Sequence, residues 1–264
     1  MKANVAIIGM GHVGRSMRQQ LAPHANIITY DIRQDEDYPE AKLAQCSVGI
    51  VCVGTPSCAD GSCDTSSVRE AVGRLPVQNI LLKSTVPPGT TDSLVSSTGK
   101  NICFSPEYFG ETTFYNPFWQ NGPGSIPFLI LGGQSSARSY FIDFLLPALG
   151  PNKTYYQCSA LEAEVIKYME NSYIAAKVSF VNEFRGICAA LGADWHAVRE
   201  GWLLDPRVSR FHTAAFLEEP GFGGRCLPKD LRAIIASAIE TGYSPSLLLE
   251  ILNSNERFRS RAEQ

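Results

Sequence analysis

Along the first part of this chain, short apolar runs alternate with stretches of helical period. Residues 4–8 form one such run, followed by Val13, Met17 and Leu21 at helical spacing and a stop at Ala22-Pro23. Further strands are predicted at 27–30, 48–53, 79–83, 102–104 and 128–131, the last closing the strands of the first domain. Residues 48–53 have no polar face, which suits a parallel strand covered on both sides. A helix is predicted from Thr65, with Asp64 or Thr65 as its N-cap, and another over 136–149, ended by Gly150-Pro151. Residues 112–126 are aromatic, glycine- and proline-rich and aperiodic, and read as a surface loop able to cover a ligand.

From 159 the rhythm changes. Residues 159–191 carry no proline and almost no glycine, and keep a helical period throughout. That is longer than an ordinary globular helix and suits one that links domains and packs on a second subunit. Shorter helices are predicted at 195–200, 228–241 and 245–259. The chain is thus expected to be α/β, with a first domain over 1–158 and a helical one over 159–264.

Composition narrows the functional classes. A net charge of −3 and a pI near 5.8 over 264 residues give no nucleic-acid or anionic-membrane surface. No apolar run approaches membrane-spanning length, and the start has no signal-peptide architecture. The eight cysteines are scattered, none in a C-x-x-C pair, so reduced thiols in a cytoplasmic protein are expected and no metal site. The Asn152-Lys153-Thr154 sequon is then irrelevant.

The first strand runs into Gly9-Met10-Gly11-His12-Val13-Gly14, and the second ends on Asp31. A G-x-G-x-x-G between strand and helix, with an acidic residue about 20 positions on, is the context the dinucleotide fingerprint requires. Gly9 makes the tight turn, Gly11 lets pyrophosphate approach, Gly14 packs the helix, and the helix N-terminus faces the phosphates. Asp31 favours NAD over NADP, whereas Arg33 could accommodate a 2′-phosphate. His12 reads as a solvent-facing loop residue beside Val13. Ligands bind beyond the carboxyl ends of such strands, where Gly54, Thr55, Pro56, Ser84, Thr85, Glu107, Tyr108, Phe109 and Glu111 fall. Some of these hydroxyls are ordinary turn groups on the competing reading, which suits Thr90 and Thr91 best.

Two features lie in the second half. Lys167 and Asn171 are one helical turn apart, on a stripe continuing through Ala175, Val178 and Asn182, and offer paired donors to a developing oxyanion. Residues 221–230, GFGGRCLPKD, place Cys226 after a double glycine and four residues before Asp230, with Lys229 beside it. The alternative for this segment is a glycine turn, a helix start and an inert thiol.

Taken together, GMGHVG, VGTPS, DGSCD, KSTVPPGTT, SPEYFGE, EAEVIKYMENSYIAAKVSFVNE, DPRVS and GFGGRCLPKD resemble, in order, the UDP-glucose/GDP-mannose dehydrogenase family. The resemblance implies a Rossmann-like NAD-binding domain, a long central helix and a helical middle domain like the C-terminal part of 6-phosphogluconate dehydrogenase, which dimerises. It implies oxidation of a primary alcohol to a carboxylate with two NAD. Cys226 would be the nucleophile and Asp230 the proton acceptor through a water. Lys167 and Asn171 would stabilise the oxyanion, and Glu107 would assist thioester hydrolysis. Thr85 and Glu111 would lie close to NAD and the reacting centre, Thr85 among the catalytic residues, and Arg207 would reach a partner subunit's substrate. Tyr108, Phe109, Phe222, Gly223 and Gly224 complete the substrate-side set.

The chain stops near Asn253–Arg257, which resembles the end of the family's central region, so the family's C-terminal domain is expected to be absent. Glu218 and Glu219 would repel a phosphate if they faced the site. The substrate is therefore open among a sugar, a nucleoside and a nucleotide sugar. A single two-electron oxidation, which has no need of Cys226, and a non-catalytic binding subunit are the alternatives.

Overall fold

The computed structural model describes residues 2–108 and 125–260, which divide into two units. The first is built on a seven-stranded sheet of order β2-β1-β3-β4-β5-β6-β7. β1 (Ala3–Ile8), β2 (Ala25–Tyr30), β3 (Val48–Val51), β4 (Asn79–Leu82) and β5 (Asn101–Phe104) are mutually parallel. β6 (Phe128–Gly132) joins β5 antiparallel, and β7 (Thr154–Cys158) runs parallel to β6. Because β1 has β2 on one side and β3 on the other, the strand order reverses between β1 and β3, which opens a crevice at their carboxyl ends. Two clusters fill the layers on the sheet's faces. Ala6, Ile8, Val51, Ile80, Leu82 and Phe104 belong to one. Val5, Ile7, Ile50, Leu81, Cys103 and Leu131 belong to the other. The period of two along each strand divides them.

The strand at 154–158 corrects the expectation that 128–131 ends the set. β7 reads Thr-Tyr-Tyr-Gln-Cys with mostly exposed positions, so it is an edge strand with no apolar alternation to mark it. The helices are α1 (His12–Leu21), α2 (Glu40–Leu43), α3 (Ser66–Arg74), α4 (Thr90–Thr98) and α5 (Ser135–Leu149). His12 opens α1 and is not a loop residue. Ahead of α3, Thr65 occupies the N-cap position without a side-chain cap bond, and Asp64 instead accepts from Ser66 N at 2.8 Å. α5 ends on Gly150, whose φ of +84° takes the chain out of the helix.

α6 (Ala160–Leu191) is a single helix of 32 residues. Its first turn is boxed by Ser159 and Glu162: Glu162 accepts from Ser159 N at 2.7 Å, and Ser159 Oγ accepts from Glu162 N at 3.2 Å. The second unit contains the greater part of α6 with α7 (Trp195–Trp202), α8 (Leu227–Glu240) and α9 (Ser246–Ser260). Its core is Ala175, Phe222, Leu231, Ile235 and Ile251. One face of α6 buries Lys167, Asn171, Ala175 and Asn182. At 100° per residue the opposite face carries Val165, Met169, Tyr173, Phe180, Phe184, Ile187 and Leu191, each between 40% and 78% exposed. No helix among the described residues is long and apolar enough to cross a membrane.

Candidate active site

The turn after β1 has the shape of a dinucleotide cradle. Gly9 sits at φ +89°, and a Cβ there would come within 2.8 Å of the Cys52 backbone. A Cβ at Gly14 would lie 2.0 Å from Gly9 O, so the first turn of α1 packs on the loop only as glycine. Gly11 has nothing within 4 Å of its would-be Cβ, which leaves room for a ligand. As the N-cap of α1 it also has no side chain to occupy the first-turn amides. These features fit a bound pyrophosphate. Asp31, just past β2, accepts from Met10 N at 2.7 Å and from Arg33 N at 2.9 Å. Its carboxylate thus fixes the glycine loop, and each oxygen keeps a lone pair for a ribose hydroxyl. Arg33 is exposed, while His12 and Val13 are half-buried.

The ends of β3, β4 and β5 are tied to one another. Thr55 Oγ1 donates to Thr85 O at 2.8 Å, and Ser84 Oγ to Val53 O at 2.7 Å, between exposed Gly54 and Pro56 and half-buried Thr85. Beyond β5, Glu107 accepts from Tyr108 N at 2.9 Å through one oxygen and pairs with Lys83 Nζ at 3.5 Å through the other. The Lys167 ammonium stands 4.8 Å from the centre of the Tyr108 ring. One turn earlier on α6, the fully buried Glu164 accepts from Gly89 N at 2.6 Å and Thr91 N at 2.8 Å. It caps α4 from outside, and burial pushes its carboxyl up to about 7 against those hydrogen bonds. Burial likewise pushes Cys52 up to about 12, with Lys83 opposing and Glu107 adding.

In the second unit Cys226 is the N-cap of α8, and its thiol is exposed. Pro228 stands in the first turn, where its missing N–H costs nothing. Asp230, also in that turn, is only 2% exposed. It accepts from Asn171 Nδ2 at 2.5 Å and is paired with Lys229. The loop before Cys226 is held by two amides. Asn182 Oδ1 accepts from Gly221 N at 3.0 Å, and Asn255 clasps Phe222 through both its main-chain groups. Gly221 has φ +79°, and a Cβ there would lie 2.4 Å from Asn255 Oδ1, so the clasp requires glycine. Phe222, expected at a substrate, has its ring in the core; what it offers a ligand is the course of its backbone. Gly223 is close to Arg259, and Gly224 is open.

Arg207 is exposed and paired with Asp205 at 2.6 Å, beside a cleft of about 680 Å³ lined by Tyr173, Phe180, Trp202 and Arg257. Phe109, Glu111 and most of the loop expected at 112–126 lie outside the described residues. Sequence reasoning missed Lys83, Glu164 and Asn255. Lys83 had a signal, a charge ending the apolar run Ile80-Leu81-Leu82. Asn255 had none, since its partner lies 33 positions away.

The reversal of strand order beside a glycine turn that only glycine can close defines a dinucleotide-binding α/β protein. The family model for the UDP-glucose/GDP-mannose dehydrogenase NAD binding domain matches residues 32–121, and that for the family's central domain matches 161–257. The chain belongs to this family, and its dinucleotide is NAD. A UDP-glucose 6-dehydrogenase of Rickettsia bellii is 32% identical over 219 residues, 78% of this chain and 48% of the relative. One of Pseudomonas aeruginosa is 32% identical over 227 residues, 81% of this chain and 49% of the relative. The chain therefore spans about half the length of the curated relatives it matches. Among solved structures, a UDP-glucose dehydrogenase from Pyrobaculum islandicum superposes with a TM-score of 0.82 at 25% identity, covering 97% of this chain and 68% of that one. A UDP-D-ManNAc dehydrogenase from Pyrococcus horikoshii gives 0.81 at 23%, covering 98% and 70%, a likeness of fold.

Proposed function

We propose that this chain oxidises the primary alcohol of a nucleotide sugar to a carboxylate in two hydride transfers, with Cys226 holding the intermediate covalently. The observation that carries the reading is the arrangement at the head of α8. There an exposed thiol precedes by one turn a buried carboxylate that receives the Asn171 amide at 2.5 Å. A buried acid so held, on the helix that begins at the thiol, has no packing purpose an apolar residue would not serve better.

NAD, held by Gly9, Gly11, His12, Val13, Gly14 and Asp31 with the Gly54–Pro56, Ser84–Thr85 and Glu111 segments, supplies the hydride acceptor. In the first oxidation Asp230 takes the hydroxyl proton through a water as the alcohol becomes an aldehyde. The Cys226 thiolate then adds to the aldehyde carbon, and Lys167 and Asn171 donate to the resulting alkoxide. Loss of a second hydride leaves a thioester on Cys226. Water adds to its carbonyl, Glu107 takes the proton, the carbon–sulfur bond breaks, and thiolate and acid separate. Thr85 shapes the cofactor side. Tyr108, Phe109, the Phe222 backbone, Gly223, Gly224 and Arg207 serve the substrate side, Arg207 in a partner's site.

The exposed apolar face of α6 supports a homodimer formed through that helix. Eight cysteines with no disulfide among them suit a reducing compartment such as the cytoplasm. The relatives' names direct the test to UDP-glucose first. The protein is incubated with NAD and UDP-glucose, other nucleotide sugars, free sugars or nucleosides, and NADH and acid are counted. Two NADH per acid is expected from a nucleotide sugar. One NADH with aldehyde or ketone as the end product overturns the four-electron proposal, and NAD binding without turnover on any alcohol points to a binding subunit.

A further inference from the structure

Lys83, the residue after β4, carries a buried charge. Its side chain is 4% exposed, directly after the fully apolar Ile80-Leu81-Leu82. Its ammonium lies 3.5 Å from Glu107 Oε2 and donates to Pro106 O at 3.3 Å. Glu107, with a side chain 12% exposed, has its other oxygen turned to Tyr108 N. We propose that Lys83 is the positioning residue that holds Glu107 as an oriented carboxylate and so sets the rate of thioester hydrolysis on Cys226. The inference rests on the four-electron reading above and deepens it.

Taking an ammonium out of water is unfavourable unless the partner geometry compensates, and an apolar residue would complete this strand at no such cost. The purpose of the cation is thus found in what it does to its partner. A cation held against a carboxylate favours the charged form, the form that can accept a proton from water. Lys83 supplies that cation at 3.5 Å. By reaching Pro106 O as well it fixes the turn from which Glu107 projects, so both the charge and the direction of the base are set from β4. The other groups facing the pair are compatible with this. The Cys52 thiol, pushed up to about 12 by burial, stays neutral and adds no competing charge. Lys167 stands over the ring of Tyr108, the neighbour of Glu107 in the chain, and is a cation as well. In the hydrolytic step Glu107 receives a proton from the attacking water as the carbon–sulfur bond breaks. Neither hydride transfer requires Glu107 to accept a proton, so loss of Lys83 acts on the last step alone.

The experiment compares wild type with Lys83→Met and Lys83→Arg under rapid mixing with NAD and UDP-glucose, following NADH and the intact protein mass. For Lys83→Met the expectation is a retained burst of NADH, a steady state slowed about 10²-fold, and an acyl adduct on Cys226 that accumulates. Lys83→Arg should restore much of the turnover. Should Lys83→Met fail to fold, Lys83→Gln, which keeps a donor toward Pro106 O without the charge, carries the same expectation. Unchanged turnover, or slowed turnover with neither burst nor adduct, overturns the role of Lys83 while wild-type acid formation leaves the four-electron reading standing. If wild type forms no acid from any alcohol, the reading itself falls and this inference with it.

Discussion

Asn255 grips Phe222 by both ends of its peptide unit: Oδ1 accepts from Phe222 N at 2.6 Å, and Nδ2 donates to Phe222 O at 2.9 Å. A side-chain amide here does what a neighbouring strand would do, on a loop that has no strand beside it. Both main-chain groups are buried, so neither can turn to water instead. Asn255→Ala is expected to destabilise the protein by about 2–6 kcal/mol, since each of the two orphaned groups costs about 1–3 kcal/mol. Thermal melting checks it; an unchanged Tm would mean the loop does not need the clasp.

Glu164 makes stability depend on pH in an unusual direction. Its folded carboxyl is raised from 4.5 to about 7, chiefly by burial, so the folded state binds the proton more tightly than the unfolded one. The group's contribution is fully present below about 4.5 and declines as pH rises toward 7. Relative to Glu164→Gln, which does not titrate, wild type should therefore lose advantage over that interval, by at most about 3 kcal/mol. Paired denaturant titrations from pH 4.5 to 8 measure the difference, and a constant gap would count against the shift.

Cys226→Ser is expected to stop acid formation while leaving the protein folded, because an alkoxide at that position is a far poorer leaving group and is scarcely formed at neutral pH. Asn171→Leu keeps the thiol but strips Asp230 of its donor at 2.5 Å, and turnover should fall about 10²- to 10³-fold. Product analysis and NADH traces separate the two. Acid at the wild-type rate from Cys226→Ser would exclude the thioester route.

The outer face of α6 gives a prediction about assembly. Met169 is 73% exposed and Phe180 48%, on the same stripe. Met169→Glu with Phe180→Glu should convert a dimer to a monomer, read by sedimentation or light scattering. A wild type that is already monomeric would remove α6 as the contact.

Much of this architecture could be read from residue pattern. β1, α1 and β2 announce themselves because apolar period, glycine spacing and an acidic strand end agree. α6 does so because nothing in its 32 residues interrupts the period. α4 escaped notice for a physical reason: Thr-Thr-Asp-Ser-Leu-Val-Ser-Ser-Thr has weak helical propensity, and the carboxylate that caps it stands 73 positions further on in Glu164. β7 escaped because an edge strand needs no buried face. In the candidate site, the groups proposed to meet ligands lie in recognisable motifs, whereas the groups that hold those motifs do not. Lys83 and Asn255 act on partners 24 and 33 residues away, and only the folded chain brings them there.

Of the eight cysteines only Cys58 and Cys226 are exposed. An alkylating reagent added to the native protein therefore meets these two residues ahead of the half-buried Cys52, Cys63 and Cys158 and the buried Cys46, Cys103 and Cys188. Trypsin cuts after Arg225 and Lys229, so Cys226 emerges alone on a four-residue peptide, away from Cys58. The labelling ratio of the two gives an internally referenced occupancy meter: a ligand that covers Cys226 lowers one signal and leaves the other as its standard. Compounds could be screened on that ratio before any turnover assay exists.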